Sequence, residues 1–598
     1  MKPINISAII LSVLLLVSCN DAFMERVPKT EISPETFFKT EEDLQMYIYG
    51  LYDFPGLGMC TDDYYATTDN GVSVGTPGEL VNIMNNSSIS SENINGGWSW
   101  GQLRKINIFM DNFRKATISQ EALNHYEGVA RFFRAKFYYD KVLRYNDVPW
   151  YETTLETSSE ELYKKQDPRT VVVDKIMEDF AFAAQHVRTG QKGGAVDKWV
   201  VMTYYARTAL FEGSWRKYHP ELNLASTANK YFELAATISA EIMAKGGFSI
   251  YNTGNPKTDY RTLFISPDLT KNREVILTTI YDYDIRSNGY WAYMFGDYEP
   301  CPTKDIIQDY LMADGSYYSS QSNYKTRDYV EEFTSRDNRL YQTFVYPGWE
   351  LINTETYAQG AGLHIPRLAK SFSGYHQLKG FQNTKGITYN GGIDWPVLRY
   401  AEVLLIFAEA KAELGTLTQG DLNATINVLR QRAAMPSMML NPAIDPVQTA
   451  RYPLVTNSNI LEIRRERRIE FASEGYRYAD LMRWNAGKLL ERPQLGIYFK
   501  GLGKYDMNGD GVEDICLLDK SATIPAVKEK NSLGKDLIYY RVGKYGEAVD
   551  AFLENGTSGC MIYAPTMGTF SAPRDYYRPV PKTQVVLNPN LYQQFGWK

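Results

Sequence analysis

Apolar residues recur at helical spacing in several stretches of the chain. The clearest is WPVLRYAEVLLIFAEAKAELG, residues 395–415. Arg399, Glu402, Glu409 and Glu413 fall on one narrow stripe, while Val397, Leu398, Ala401, Leu404, Leu405, Phe407 and Ala408 cover the other faces. A helix with so thin a polar stripe is buried by neighbours on most sides. Pro396 suits its first turn and Gly415 its C-terminal cap. After TLTQG, the segment DLNATINVLRQRAA predicts a second helix with Asp421 as cap. The two together have about the length of a tetratricopeptide unit.

A second pair follows in NILEIRRERRIEFASEGYRYADLMRWNAG, where Asn459 and Glu462 stand at capping-box spacing. The pattern breaks at Ser473-Glu474-Gly475 and resumes. Glu462, Glu466 and Glu470 interleave with Arg464, Arg465, Arg467 and Arg468, which predicts self-pairing along one helix face. In the N-terminal half, helices are predicted from residue 125 to an Asn-Asp turn before Pro149, from 197 to Gly213, and from 231 to a Gly pair. Between these lie long Gly-, Asn- and Tyr-rich stretches at 54–100, 250–300, 313–395 and 497–575. Loops of that length inside a compact domain carry function or are disordered, and their aromatic content argues for order. The expected architecture is mainly α, a helical repeat scaffold with large irregular insertions and no clear linker.

The N-terminus adds a location. Lys2 precedes an apolar run from Ala8 to Val17. That run is shorter than the about 20 residues a membrane-spanning helix needs, so residues 1–18 read as a secretory signal. It closes at Leu16-Val17-Ser18-Cys19, which resembles the bacterial lipobox, whose cysteine is acylated and becomes the new N-terminus. Cys19 is therefore the expected lipidation site. Its acyl chains meet the need of two membrane signals for stable anchoring. Composition agrees with a globular body: 44% hydrophobic, 22% charged, net charge −6, which offers nothing to nucleic acid or anionic lipid. Cys60, Cys301, Cys516 and Cys560 form no CxxC, and their spacing names no disulfide. Tyr is the unusual entry in the composition, with 45 residues beside 10 Trp. These are rigid rings with a polar edge, suited to contact surfaces.

Seven stretches, in order, resemble the SusD/RagB family of outer-membrane lipoproteins: VPKTEISPETFFKTEEDL (27–44), GVARFFRAKFYYDKVLRYNDVPW (128–150), CPTKDIIQDYLMADG (301–315), FTSRDNRL (333–340), LRYAEVLLIFAEA (398–410), RRIEFASEGYRYADLMRW (467–484) and the closing YYRPVPKTQVVLNPNLYQQFGW. The resemblance implies a mature domain over 19–598, with N-terminal (19–300) and C-terminal (301–598) parts intertwined. It also implies about four tetratricopeptide-like helix pairs holding a loop-rich ligand-binding region. It further implies a cell-surface, lipid-anchored glycan-binding protein of the outer membrane. Such a protein captures oligosaccharide and delivers it to a partner SusC-like TonB-dependent transporter.

The matching stretches for a glycan site are TDDYYATTDNG (61–71), GGWSWGQ (96–102) and NGYWAYMFGDY (288–298). A pyranose ring has an apolar C–H face and a rim of hydroxyls. Trp and Tyr cover the face, while Asp and Asn bond the rim. Trp98, Trp100, Trp291, Tyr290 and Tyr293 are the candidate platforms, and Asp69 and Asn70 the polar partners. Core packing is the competing reading of each ring. In W-x-W an extended segment points both rings to one face, so both are exposed or both buried. In DMNGDGVEDI (506–515), Asp506, Asn508, Asp510, the Val512 carbonyl and Asp514 have the spacing of a calcium loop, which makes a structural Ca²⁺ the expectation. Position 12 is Leu517 rather than Glu, so this is no EF-hand. The competing reading is an Asx-rich turn that binds nothing.

No HExxH, GxSxG or phosphate loop is present, and the expectation is a non-enzyme. Two alternatives stay open. A surface glycoside hydrolase needs only two carboxylates, for which Asp62-Asp63 is the place to look. A purely structural, protein-binding subunit of the transporter is the other.

Overall fold

The computed structural model describes residues 37–54, 57, 68–72, 78–85, 89–94, 96–190, 193–287, 301–352, 362–385 and 391–598. Its main helices are α1 (Glu41–Tyr49), α2 (Gly101–Asn112), α3 (Gln120–Tyr145), α4 (Arg169–His186), α5 (Lys198–Tyr218), α6 (Ala228–Lys245), α7 (Lys304–Asp309), α8 (Tyr400–Glu413), α9 (Gln419–Ala424), α10 (Ile426–Arg432), α11 (Ser458–Glu470), α12 (Arg477–Arg483) and α13 (Lys582–Leu587). Short unlabelled turns separate some of them. Helix α3 packs on α4, α5 on α6 and α8 on α9–α10, while α11 and α12 complete a fourth pair. Successive pairs stack, α4 on α5, α6 on α8 and α8 on α11. This is the tetratricopeptide-like scaffold that the periodicity predicted. No described helix is long and apolar enough to cross a membrane.

The insertions carry the strands; besides a two-residue pair, Glu350–Leu351 with Gly362–Leu363, these are β1 (Gly71–Val72), β2 (Val275–Thr279), β3 (Cys301–Pro302), β4 (Trp395–Arg399), β5 (Gln494–Phe499), β6 (Gly503–Tyr505), β7 (Ile515–Asp519), β8 (Ile538–Gly543), β9 (Ala551–Phe552) and β10 (Gly559–Ala564). A four-stranded sheet runs β9-β8-β7-β6; β1 pairs β3, β2 pairs β4 and β5 pairs β10. One apolar core fills the N-terminal helices around Phe132, Phe133 and Leu210. A second lies between α8, α11 and α12 around Leu405, Ile463 and Trp484. A third sits beneath the sheet around Leu340, Ile497 and Ile515. The C-terminal tail returns to the N-terminal half. Gln166 Nε2 donates to Tyr592 O at 2.8 Å, and Arg578 Nε donates to Glu79 at 2.6 Å.

Several predicted boundaries are corrected. Trp395–Arg399 is strand, not first turn, and Pro396 sits opposite Thr278 where the ladder is irregular, so its missing N–H costs little. Thr418 caps α9, with Asp421 at the third position of the capping box. Asn457, not Asn459, caps α11. Helix α5 runs through Gly213 to Tyr218, because a Cβ at Gly213 would lie 2.9 Å from the Phe232 ring of α6; the glycine permits close packing and ends nothing. Helix α4 was not predicted. Its β-branched run Val171–Val173 and its buried Arg169 and Asp179 blur the apolar stripe.

The largest correction concerns charge. Apart from Arg465, which donates to Glu462 at 3.1 Å, the Arg/Glu run of α11 pairs with other segments rather than along its own face. Every residue from Arg464 to Glu470 is at most 3% exposed. Arg432 of α10 donates to Glu470 at 2.6 and 2.8 Å, Arg399 at 3.0 Å and Arg339 at 3.2 Å. Glu466 takes Arg339 and Arg430 at 2.6 and 2.9 Å. Arg468 and Arg451 converge on Asp309 of α7 at 2.8 and 2.6 Å. The polar stripe of α8 is likewise internal: Glu402 holds Arg207, Glu409 holds Arg483 and Glu413 holds Lys217. The pairs of Arg339, Arg399 and Asp309 connect the repeat scaffold to the insertions, and the others join scaffold helices to one another. Burial alone would raise the Glu470 carboxyl, but its three arginines hold it well below the usual carboxylate range.

Candidate functional site

A cleft of about 520 Å³ opens beside the N-terminus of α2. That volume lies within the roughly 300–1,000 Å³ of small-ligand sites. Its floor comes from the turn at Gly96-Gly97, both at positive φ (87° and 78°). A side chain at Gly97 would collide with Arg144 and Tyr145, so the turn can lie against α3 only as glycine. The turn seats Trp98 edge-on to Tyr145 (4.8 Å, 82°) and to Trp100 (5.5 Å, 81°). Trp100 precedes the first turn of α2 and meets Tyr151 at 5.6 Å and 78°.

The second wall is the 149–163 loop, held by α2. Asn107 Nδ2 donates to Thr153 O at 2.9 Å and to Tyr151 O at 3.4 Å. Arg104 donates to Leu155 O and stands 3.6 Å from Glu156. The third wall is α13 and the segment after it. Asn588 Nδ2 donates to Leu162 O and Lys164 O at 3.2 and 2.9 Å. Tyr163 and Leu587 stand exposed at the rim, 51% and 67%. Burial pushes the Tyr151 hydroxyl up to about 12 and the Lys141 ammonium, tucked under Trp100, down to about 8, so both keep their protons at neutral pH. Asn107 Oδ1 is a buried acceptor in this wall with no partner in the protein.

The cleft brings together Trp98 and Trp100. They do not behave alike: Trp98 is buried (8% exposed), whereas Trp100 is half-buried. The segment turns into α2 between them, so the alternation of an extended strand does not apply. Asp69 and Asn70, expected at the ligand rim, are instead tied to the scaffold. Asp69 accepts both Nε and Nη2 of Arg477 at 2.7 Å, and Asn70 Oδ1 accepts Arg468 Nε at 2.8 Å. Asp69 lines a separate cleft of about 230 Å³ with Asp305. Burial would raise both carboxyls there, but Arg468 holds both low, with Arg477 acting on Asp69 and Arg451 on Asp305. Tyr290, Trp291, Tyr293, Asp62, Asp63 and Cys19 lie outside the described residues. Sequence reasoning missed Asn107, Arg104, Tyr151, Glu156 and Asn588. Only Asn107 left a signal, a polar residue amid the buried face Leu103, Ile106 and Phe109 of α2.

The 506–514 loop is an interlocked set of Asx turns. Asp506 accepts the amides of Asn508, Gly509 and Gly511 at 3.0, 2.7 and 2.8 Å; Asp514 accepts those of Met507 and Asn508. Asn508 Oδ1 takes the amide of Asp510, and Asp510 Oδ1 that of Val512. Among the described residues no group of three acidic, His or Cys side chains is arranged to hold an ion. The loop's own amides satisfy Asp506 and Asp514, which suits an Asx-rich turn, and a structural Ca²⁺ held by Asp506, Asn508, Asp510, the Val512 carbonyl and Asp514 stays a proposal. Asp506→Ala is expected to lower stability by about 1–2 kcal/mol, the cost of a lost cap, equally with and without calcium. Denaturant titrations in calcium and in chelator check this, and a loss that appears only in calcium would restore the ion.

A model of the SusD family matches residues 253–597. SusD-like protein P2 of Formosa agariphila is 25% identical over 517 residues, covering 81% of this chain and 92% of the relative. SusD-like protein P38 of the same organism is 23% identical with the same coverage. Among solved structures, a SusD-like protein from Bacteroides fragilis superposes with a TM-score of 0.67 at 21% identity, covering 96% of this chain and 100% of that one. A SusD-like carbohydrate binding protein from the same organism gives 0.63 at 21%, covering 93% and 100%. A laminarin binding SusD-like protein gives 0.54 at 16%, covering 94% and 100%.

Proposed function

The chain belongs to the SusD family, and on that premise we propose that it is a surface lipoprotein, anchored through Cys19, that captures oligosaccharide in the Trp98–Trp100 cleft and delivers it to a SusC-like TonB-dependent transporter. The observation that carries this is the cleft's make-up: half-exposed rings of Trp100, Tyr151 and Tyr163 beside the polar groups of Asn107, Arg104 and Glu156. Such a surface matches the apolar face and hydroxyl rim of a pyranose. Two structural neighbours are described as carbohydrate and laminarin binding, which supports the same class of ligand. Tethering both partners in one membrane raises their effective concentration, so modest affinity suffices for transfer.

Binding without hydrolysis fits the carboxylates. Glu156 is the one acidic residue lining the cleft among the described residues, and it faces Arg104. A glycosidase needs two, one of them with a raised pKa. Asp69 and Asp305 form a pair elsewhere, but their arginines hold both ionised and leave no general acid. Native gels cast with a panel of polysaccharides test the proposal. Retardation in at least one glycan, with no release of reducing ends on incubation, is the expected result. Reducing-end release would instead establish a hydrolase, and migration unchanged by every glycan would remove carbohydrate as the ligand.

A further inference from the structure

We infer that the C-terminal segment 582–594 sets the width of the cleft and with it the choice of glycan, and that Asn588 and Asp147 are the positioning residues that hold it. The inference rests on the proposed reading of the cleft and adds what shapes it. No residue of α13 is buried, and apolar packing anchors the segment mainly at Val580 before the helix and Leu591 after it. Yet the segment puts Gln584, Leu587, Asn588 and Leu591 into the cleft wall. A chain end stays ordered only where it is tied down, and here most of the ties are side-chain hydrogen bonds.

From Asn588 onward these ties converge on residues 146–166, the stretch that includes the second wall. Asn588 is 7% exposed, and its amide is engaged at both ends. Its Nδ2 donates to Leu162 O and Lys164 O at 3.2 and 2.9 Å, and its Oδ1 accepts Asn590 N at 3.0 Å. Asn590 Nδ2 donates to Tyr163 O at 2.6 Å. Gln166 clasps the backbone of Tyr592, donating to its carbonyl at 2.8 Å and accepting its amide at 3.2 Å. Asp147 Oδ2 accepts the Tyr592 hydroxyl at 2.8 Å and Gln594 Nε2 at 2.5 Å, while its Oδ1 accepts the amide of Arg169, the first residue of α4, at 2.7 Å. The second and third walls are thus tied into one unit, fastened at the α3–α4 junction and set across the cleft from Trp98 and Trp100. An ordered wall binds more tightly than a loose one because less conformational entropy is lost on binding. A fixed gap also rejects sugars that do not fit it.

The test uses the full mature chain, with β-glucan, mannan and galactan oligosaccharides as probes in calorimetry and with hydrogen exchange read without ligand. Asn588→Ala is expected to lower the affinity of the best probe by about 10-fold, the equivalent of one lost hydrogen bond, and to shrink the difference between the best and the worst probe. The double variant Tyr592→Phe, Gln594→Ala, which frees the tail from Asp147 and leaves the bond to Arg169, should act in the same direction. Asn588→Asp keeps the volume but cannot donate to the two carbonyls, so it should lose as much as alanine. Amides of 151–163 should exchange faster while those of α3 and α4 do not change. The melting temperature should stay within about 2 °C of the parent. A merely structural role would lower affinity for every probe by one factor together with the melting temperature, and that result overturns the inference. So does a folded Asn588→Ala or Asn588→Asp with the parent's affinities and ranking. Should the parent bind its probes with no dependence on Trp100, or bind none, the assignment of the cleft itself fails, and this inference with it.

Discussion

Glu470→Gln is expected to destabilise the protein by about 3–5 kcal/mol, the range for removing one partner from a buried ion pair. The carboxylate stands where β4, α10 and the short helix Asn338–Thr343 meet α11, and it holds Arg399, Arg432 and Arg339 together. Glutamine keeps the shape and removes the charge. Three guanidinium groups at most 1% exposed then face one another with a smaller share of negative charge. Asp536→Asn is the control: its partner Lys530 is 65% exposed, and exposed pairs contribute about 0–1 kcal/mol. Urea titrations of both variants decide the matter, and a Glu470→Gln shift no larger than that of Asp536→Asn would mean the network does not hold the scaffold to the insertions. The same carboxylates set the acid limit. Glu470 lies below its ordinary 4.5, and Asp309, whose burial is outweighed by Arg451, Arg468 and Arg465, lies at about 2 instead of 3.8. A carboxyl depressed in the folded state stabilises fully above its unfolded pKa and loses that contribution as pH falls through the folded value. Stability should therefore be level with respect to these groups above pH 4.5 and drop between there and pH 2, less steeply in Glu470→Gln.

Trp100→Ala is expected to weaken glycan binding by about 30- to 150-fold, the equivalent of about 2–3 kcal/mol for a central aromatic contact. Trp100 is the ring that joins the floor of the cleft to its wall, edge-on to both Trp98 and Tyr151. Truncation also removes packing against Phe137 and Tyr138 of α3, so circular dichroism and the melting temperature must be followed alongside. Trp100→Phe keeps a ring at the same place and should retain much of the affinity, as should Tyr151→Phe if the ring rather than the hydroxyl makes the contact. A folded Trp100→Ala protein that binds glycan as well as the parent would move the ligand to another face of the molecule. The full series thus separates a stacking surface from a core aromatic that merely borders a cavity.

What the chain determines by itself is local. Helices predicted from residues 125, 197 and 231 are found at 120–145, 198–218 and 228–245, the first two starting at the side-chain caps Ser119 and Asp197, because capping and helix periodicity involve neighbours a few residues away. The W-x-W of the cleft is visible for the same reason, as is the order of motifs that marks the family. What required the tertiary structure is every decision about which side faces what. An Arg/Glu run with i, i+4 spacing looks the same whether water or another helix covers it. Arg399, Arg430, Arg432 and Asp309, which cover it here, arrive from far along the chain. The strand at 395–399 exists because β2, more than a hundred residues earlier, offers it an edge. The cleft is assembled from residues 98, 151 and 588, and no periodicity connects positions so distant: chain folding brings them together, and local pattern records only the geometry of one segment.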